Sequence, residues 1–522
     1  MKDFEFYLKE TAEVGYIKSI ISSLFYVSGL PTARLNELIL TENGLVGIVK
    51  SIHPELVEVM VFEGQGLTHN MKVVRTNELF QVPVTESYLG RVVDPFGVPQ
   101  DSLIPIAGDK IYVQTDPKAP AVNERVRIWR PLETGVMAVD MQVPIGLGQR
   151  ELILGDQKTG KTIFALQAMV NAARNGLVGV YVSIGKKKSD LKFVEEFLSD
   201  ADVLNKVVIV AATSSDPAPL VYLSPFSGLS IAEFFRDLGR DVLVVLDDLT
   251  THAKFYREIS LLSRRPPGRQ SYPGDIFHVH ARLAERSGNI KRKTGKVLDK
   301  AQPKGEVSIT LLPIAETIEG DMAGFIQTNL MAMTDGHVFF DVAESKRGRH
   351  PSVSFPLSVS RVGYQTRTPL ERDISASITL GLSEYRKAEE IGRFGVELTA
   401  QTLSTLHAYE RLEELLNQDY EEIIPRELQI ILLGLFFAHA FEGIGVKEVR
   451  GEKLRIADEF EAGKYNNFRL EIGKCRSLVE LTELMMKNLS LFAVGSARKT
   501  EKSSQANSEQ VQQGKRPGLT VS

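Results

Sequence analysis

The sequence predicts a multidomain chain with an N-terminal β-barrel, a central α/β domain built on a phosphate-binding loop, and a C-terminal α-helical bundle. Short β-rich segments punctuated by Gly, Asn-Gly and Pro fill residues 15 to 94. Apolar strands alternating with amphipathic helical patterns follow from about residue 150, and beyond Pro369 helix-favouring residues run with little proline. At 522 residues, three domains are in proportion to roughly 100–200 residues each.

The barrel is read from LVGIVKSI, LVEVMVFEG, MKVVRT and LGRVVDPFG, giving a first domain over residues 1–94. A stretch through Pro117, Pro120 and Pro131 leads into the second domain, 95–370. Its apolar runs Leu152 to Leu154, Val178 to Ile184, Val207 to Ala212, Val242 to Leu246 and Ile309 to Leu312 fit buried parallel strands. Between them Leu191, Val194, Phe197 and Leu198 are spaced for one buried helix face. The third domain, 371–500, holds Pro425 as its one proline and carries long helical patterns. Residues 501–522 lack aromatics and read as a disordered tail.

Composition narrows the classes. Lys and Arg number 62 against 66 for Asp and Glu, a net charge of −4, so no global basic field exists for wrapping nucleic acid. The single cysteine, Cys475, excludes an intrachain disulfide and a Cys-cluster zinc site, and favours a reducing compartment. The N-terminal MKDFEFYLKE has neither signal-peptide nor transit-peptide character. The longest apolar run, Ile430 to Phe441, falls short of the ~20 residues needed to span a bilayer, so any membrane role is expected to be peripheral.

The chemistry is concentrated where the strand ELIL meets Gly155-Asp156-Gln157-Lys158-Thr159-Gly160-Lys161-Thr162 and then the helix IFALQAMVNAAR. This is the P-loop spacing in its required strand–loop–helix context. The two glycines let backbone N–H groups point at phosphate oxygens, the helix N-terminus adds a positive dipole end, and Lys161 neutralises the β and γ phosphates. Thr162 would place its hydroxyl on Mg²⁺. The second metal-side group is Asp247, where the strand Val242 to Leu246 ends, with Asp248 better suited to capping the next helix.

Longer segments carry a family resemblance: TGVMAVDMQVPIGLGQRELILGDQKTGKT, LLSRRPPGRQSYPGDIFHVHARLAER, SITLLPIAETIEGDMAGFIQTNLMAMTDG and LSVSRVG. From about residue 15 to 490 the chain resembles the α subunits of F-type ATP synthases. That resemblance implies a barrel, a RecA-like nucleotide-binding domain and a helical bundle. It also implies β-subunit partners alternating in a hexameric ring around a central shaft (γ) subunit, docking on a peripheral stalk, and no nucleic acid. Membrane contact would come only through partners, on the cytoplasmic face of a bacterial membrane or its organellar equivalent. It further implies tightly bound Mg-ATP or ADP that is not turned over, in an assembly coupling ATP synthesis or hydrolysis to proton or sodium transport.

Lys186, in Ser183-Ile184-Gly185-Lys186-Lys187-Lys188, aligns with the glutamate that polarises the attacking water in catalytic relatives. Its ammonium has three donors and no acceptor, so it cannot act as that base, although it could contact a phosphate oxygen. Most α subunits have glutamine there. Lys187 and Lys188 read as a solvated charge run. Arg361, in SVSRVG, matches the arginine that α subunits extend into the β catalytic site, a role suited to a planar, permanently charged fork. The resemblance places Pro351 and Gln418 at the adenine, where the family's Arg-Pro and Gln-x-Gln-Tyr are replaced by His350-Pro351 and Asn417-Gln418-Asp419-Tyr420. The resemblance implies that the family's N-terminal helical extension is shortened here to about a dozen residues, which with Lys186 points to a divergent or alternate-operon copy.

Smaller signals point to packing. His278 and His280 are two apart and lack a carboxylate-rich partner cluster. Arg264-Arg265 and Lys291-Arg292-Lys293 could suggest RNA, but a loop rich in Arg and Pro serves a shaft or a neighbour just as well, and the barrel lacks an aromatic-interleaved basic face. A self-sufficient hexameric motor, such as an export ATPase or a rho-like RNA translocase, is the alternative; it requires the base that Lys186 cannot be.

Overall fold

The computed structural model describes residues 3–494 apart from 63–65, 102–104, 107, 293–304 and 394–399. The 501–522 segment read as a tail lies outside the described residues. The chain divides into two compact units: residues up to Thr134 together with Val143–Thr366, and Gly135–Gln142 together with Arg367 onward.

The first unit begins with a short helix, Phe4–Thr11, capped by the Asp3 side chain on the Phe6 N–H at 2.9 Å. Six strands then close a barrel: Val14–Ile21, Leu24–Ser28, Glu37–Thr41, Val46–Ile52, Val57–Val61 and Lys72–Leu79. Closure removes open edges, and the interior is filled by Ile17, Phe25, Val27, Ile39, Val49, Val59 and Val73, all fully buried. A Cβ at Gly47 would lie 2.4 Å from the Val59 side chain, so this strand crosses only as glycine.

The α/β part is a sheet in the order Val359–Ser360, Gly336–Phe340, Glu151–Gly155, Glu306–Glu316, Val242–Asp247, Val178–Lys186, Val207–Thr213, Val92–Val93. The last seven run parallel to one another, and Val359–Ser360 is antiparallel at the edge. Strands buried on both faces need continuous apolar sequence, and five of these are the apolar runs of the sequence. Val92–Val93, read from sequence as part of the barrel, instead pairs with Ile209 and Val210 in this sheet; two residues are too few to declare which sheet they join. Helices Lys161–Arg174, Ala218–Asp237 and Leu249–Leu262 pack on it.

The second unit is helical: Pro369–Arg393, Ala400–Leu416, Arg426–Phe437, Val446–Glu461, Asn466–Ile472, Leu478–Lys487 and Leu489–Phe492, joined by Met137–Gln142. Leu370, Ile374, Ile378, Leu382 and Tyr385 are buried at spacings of three and four, the single stripe that an amphipathic helix presents to a core. Arg426 clamps Glu371 in this unit, with Nη2 to Oε2 at 2.6 Å. Among the described residues no helix is long and apolar enough to cross a membrane.

Candidate nucleotide site

The phosphate loop forms because backbone and side chains converge on two of its residues. A Cβ at Gly155 would lie 2.4 Å from the Phe340 carbonyl of the neighbouring strand, so only glycine ends this strand here. Gly160 has φ of 92°, in the left-handed region, and hands the chain to the helix at Lys161. The Asp156 carboxylate receives the Thr317 hydroxyl and, at 2.9 Å, the Gly320 N–H. Its carbonyl receives the Thr159 hydroxyl at 2.7 Å and the Lys161 ammonium. Ser352, following the cis His350–Pro351 bond, donates to the Thr159 carbonyl at 2.7 Å. Gln157 reaches Glu316 at 3.1 Å, and Lys158 is exposed.

At the metal end, Asp247 ends its strand as the sequence suggests. Its Oδ2 receives the Thr162 hydroxyl at 2.9 Å and the Tyr181 hydroxyl at 2.7 Å. Asp248 caps the following helix, accepting from the Thr251 N–H at 2.6 Å. Both acids are buried.

Lys186 joins this cluster. Its Nζ lies 2.8 Å from Asp247 Oδ1 and 3.1 Å from Asp248 Oδ2. The register between Val178–Lys186 and Val207–Thr213 slips between Ile184 and Lys186, and Gly185 in the slip has φ of 65°. Such a bulge re-aims the next side chain. Burial works against the Lys186 ammonium, but the two carboxylates outweigh it and hold its pKa above the ordinary lysine range. Lys161 is shifted the other way: burial lowers it, Lys186 adds to that, and Glu316, Asp248 and Asp247 oppose it. Lys187 and Lys188 are exposed, as a solvated run should be.

The remaining candidates are Arg361, Pro351 and Gln418. Ser360 pairs with Gly336, and Gly336 with Glu151, so Arg361 sits at the end of the sheet away from Gly155. Arg361 is level with Asp335 and Arg150, and five residue steps at about 3.3 Å put it about 16 Å along the strands from Gly155. Arg361 is exposed, and among the described residues its guanidinium has no hydrogen-bond or ion-pair partner. Pro351 is beside the loop through Ser352. Gln418 is 2% exposed and bonded within the helical unit. It accepts from the Met137 N–H at 2.6 Å and donates to the carbonyls of Gly135 at 3.0 Å and Glu422 at 3.2 Å. Both of its amide hydrogens are therefore engaged.

Tyr181, Glu316, Thr317 and Ser352 escaped the sequence reading. Tyr181 carries the one hydroxyl in an otherwise apolar stretch, Val178 to Val182, which was its only signal. His280 is buried against His252, Nε2 to Nδ1 at 3.1 Å, while His278 is exposed. Among the described residues no cluster of three or more His, Cys, Asp or Glu could hold a metal ion. Arg265 pairs with Glu58 of the barrel at 3.4 Å.

A glycine-bounded loop closing on a helix N-terminus, with a buried acid ending the next-but-one parallel strand, defines a P-loop nucleotide-binding protein. The family described as "ATP synthase alpha/beta family, nucleotide-binding domain" matches residues 135–360, and "ATP synthase alpha/beta chain, C terminal domain" matches 367–489. The ATP synthase subunit alpha of Neorickettsia sennetsu is 36% identical over 488 residues, 92% of this chain and 93% of that protein. The ATP synthase subunit alpha of Rhodococcus opacus is 36% identical over 487 residues, 90% and 87% of the two chains. The chain belongs to the ATP synthase α-subunit family.

Proposed function

We propose that this chain is the non-hydrolysing, nucleotide-binding α subunit of a rotary ATP synthase, peripheral to the membrane and alternating with β subunits around a central shaft. The assembly would couple ATP synthesis or hydrolysis to proton or sodium transport. The single observation behind the non-hydrolysing role is Lys186: the group facing the acidic end of the loop is an ammonium paired to two carboxylates, with no lone pair to accept a proton from water. Gly155 through Gly160 offer backbone N–H groups to the phosphates, Lys161 and Lys158 add positive charge, and Gln157 and Asp156 hold the loop's outer side. Pro351 is the proposed adenine contact, and Gln418 orders the helical unit. Thr162 and Asp247 stand where P-loop proteins hold a nucleotide's Mg²⁺. Because Lys186 already occupies Asp247 Oδ1 and the Thr162 hydroxyl is bonded to Oδ2, these residues do not fit a tightly held divalent ion.

Arg361 lies at the far end of the sheet from its own loop and, among the described residues, forms no ion pair within hydrogen-bonding reach. This supports reading it as an arginine that serves a neighbour's site, where a guanidinium meets charge spread over the transferring phosphoryl. The test is nucleotide content and phosphate release of the purified full chain. Retained nucleotide, lost in Lys161→Ala, without steady phosphate release is expected. Steady release by the chain alone would point to a self-sufficient motor.

A further inference from the structure

The acidic end of the phosphate loop already has its cation. Lys186 Nζ bridges Asp247 Oδ1 at 2.8 Å and Asp248 Oδ2 at 3.1 Å, while Thr162, the residue after Lys161, bonds the other oxygen of Asp247 at 2.9 Å. Both carboxylate side chains are 2% exposed, and that of Lys186 is 23% exposed. The two carboxylates are thus buried, while the lysine side chain that reaches them is partly exposed. Offsetting the charge of the strand-end acid beside the loop hydroxyl is the task of a divalent ion in a P-loop. A tethered ammonium performs it with no association step, because its position is fixed by the strand and by the bulge at Gly185.

Charge sharpens the point. Around Lys161 stand Asp247, Asp248 and Glu316, three carboxylates that would repel an incoming polyphosphate. With Lys161 as the only cation there, a divalent ion would be required to offset them. Lys186 makes it two cations against three carboxylates before any metal arrives.

We propose that Lys186 is the built-in counter-cation of this nucleotide site, so that the chain takes up ADP or ATP without a divalent metal ion. This rests on the nucleotide-binding role proposed above. Incoming phosphate oxygens meet the Lys186 ammonium and Lys161 together. Mg²⁺, which must compete with Lys186 for Asp247, adds little.

Titrating a fluorescent ADP analogue into the full chain, once in EDTA and once in millimolar Mg²⁺, tests this. Wild type should bind with nearly the same affinity in both. Lys186→Gln should become metal-dependent, binding at least about tenfold more weakly in EDTA than in Mg²⁺. Because Lys186→Gln leaves buried acids unpaired, the double variant Lys186→Gln, Asp248→Asn removes one of those charges and should show the same metal dependence. In a companion measurement without nucleotide, Mn²⁺ titrated under electron paramagnetic resonance should bind the double variant more tightly than wild type. A wild type that loses tenfold or more in EDTA would overturn the proposal. Metal-independent binding that persists in both variants would also overturn it, since Lys186 would not be the cause. Absence of binding in either buffer would instead refute the nucleotide site itself.

Discussion

Replacing Lys186 with glutamine should destabilise the first unit in the absence of nucleotide and metal. The substitution removes the ammonium 2.8 and 3.1 Å from two carboxylates whose side chains are 2% exposed. At an effective dielectric of about 20, each contact is worth roughly 5–6 kcal/mol before desolvation is counted. The measured cost of removing one partner of a buried pair is about 3–5 kcal/mol, because the surviving charge stays buried. Trp129 is the only tryptophan, lies in the first unit and donates to Glu306 at 2.9 Å, so its fluorescence follows that unit through urea unfolding of the full chain. Asp248→Asn keeps an N-cap side chain on the Leu249–Leu262 helix while removing one charge. A double-mutant cycle between Lys186→Gln and Asp248→Asn should return a coupling of about 1–3 kcal/mol. A Lys186→Gln variant within about 0.5 kcal/mol of wild type, the range of an ordinary surface change, would refute the buried pair.

Lys161→Ala should leave the fold intact but abolish retention of nucleotide through gel filtration, read as bound nucleotide per chain. Gly155→Ala would place a Cβ 2.4 Å from the Phe340 carbonyl; overpacking of this kind costs about 1–3 kcal/mol, visible as an earlier urea midpoint together with weaker nucleotide binding. Acid should weaken the first unit through His252, whose burial pushes its pKa down to about 4, and through His280, which burial and His252 also lower. The unfolded chain, with histidines near 6.5, takes up more protons below that value. Stability therefore falls from about pH 6.5 toward pH 4, by at most ~1.4 kcal/mol per pH unit for each histidine. Urea midpoints at pH 7 and 5 should show this loss reduced in His280→Gln.

The phosphate loop was legible because every residue it needs is contiguous: an apolar strand, two glycines at fixed spacing, and a helix. Asp247 was legible for a related reason, since it ends a five-residue apolar run at the edge where such sheets bind ligands. The partners of Lys186 were not, because they depend on parallel register and a bulge at Gly185, neither of which leaves a trace in residue type. The reading that Lys186 could contact a phosphate oxygen did not name the two acids that it also pairs with. Gly336–Phe340 went unread as a strand, being five residues with only a short apolar run. The return of Gly135–Gln142 to the helical unit is a long-range event that no local pattern declares. Gln418 shows the limit of transfer by resemblance: the matching residue is present, but its amide is bonded to the backbone of Gly135, Met137 and Glu422.

Arg361 is where the proposed role meets the whole assembly. Complexes reconstituted from the β partner with wild-type chain or with Arg361→Ala, compared for steady ATP turnover, test it directly. Because Arg361 is exposed and, among the described residues, unpaired, the substitution should assemble normally and leave the chain's own nucleotide content unchanged. Turnover should fall on the order of 10³-fold, as when an arginine finger is withdrawn. Turnover within a few-fold of wild type in a correctly assembled complex would contradict the proposal that this chain completes its neighbour's catalytic site.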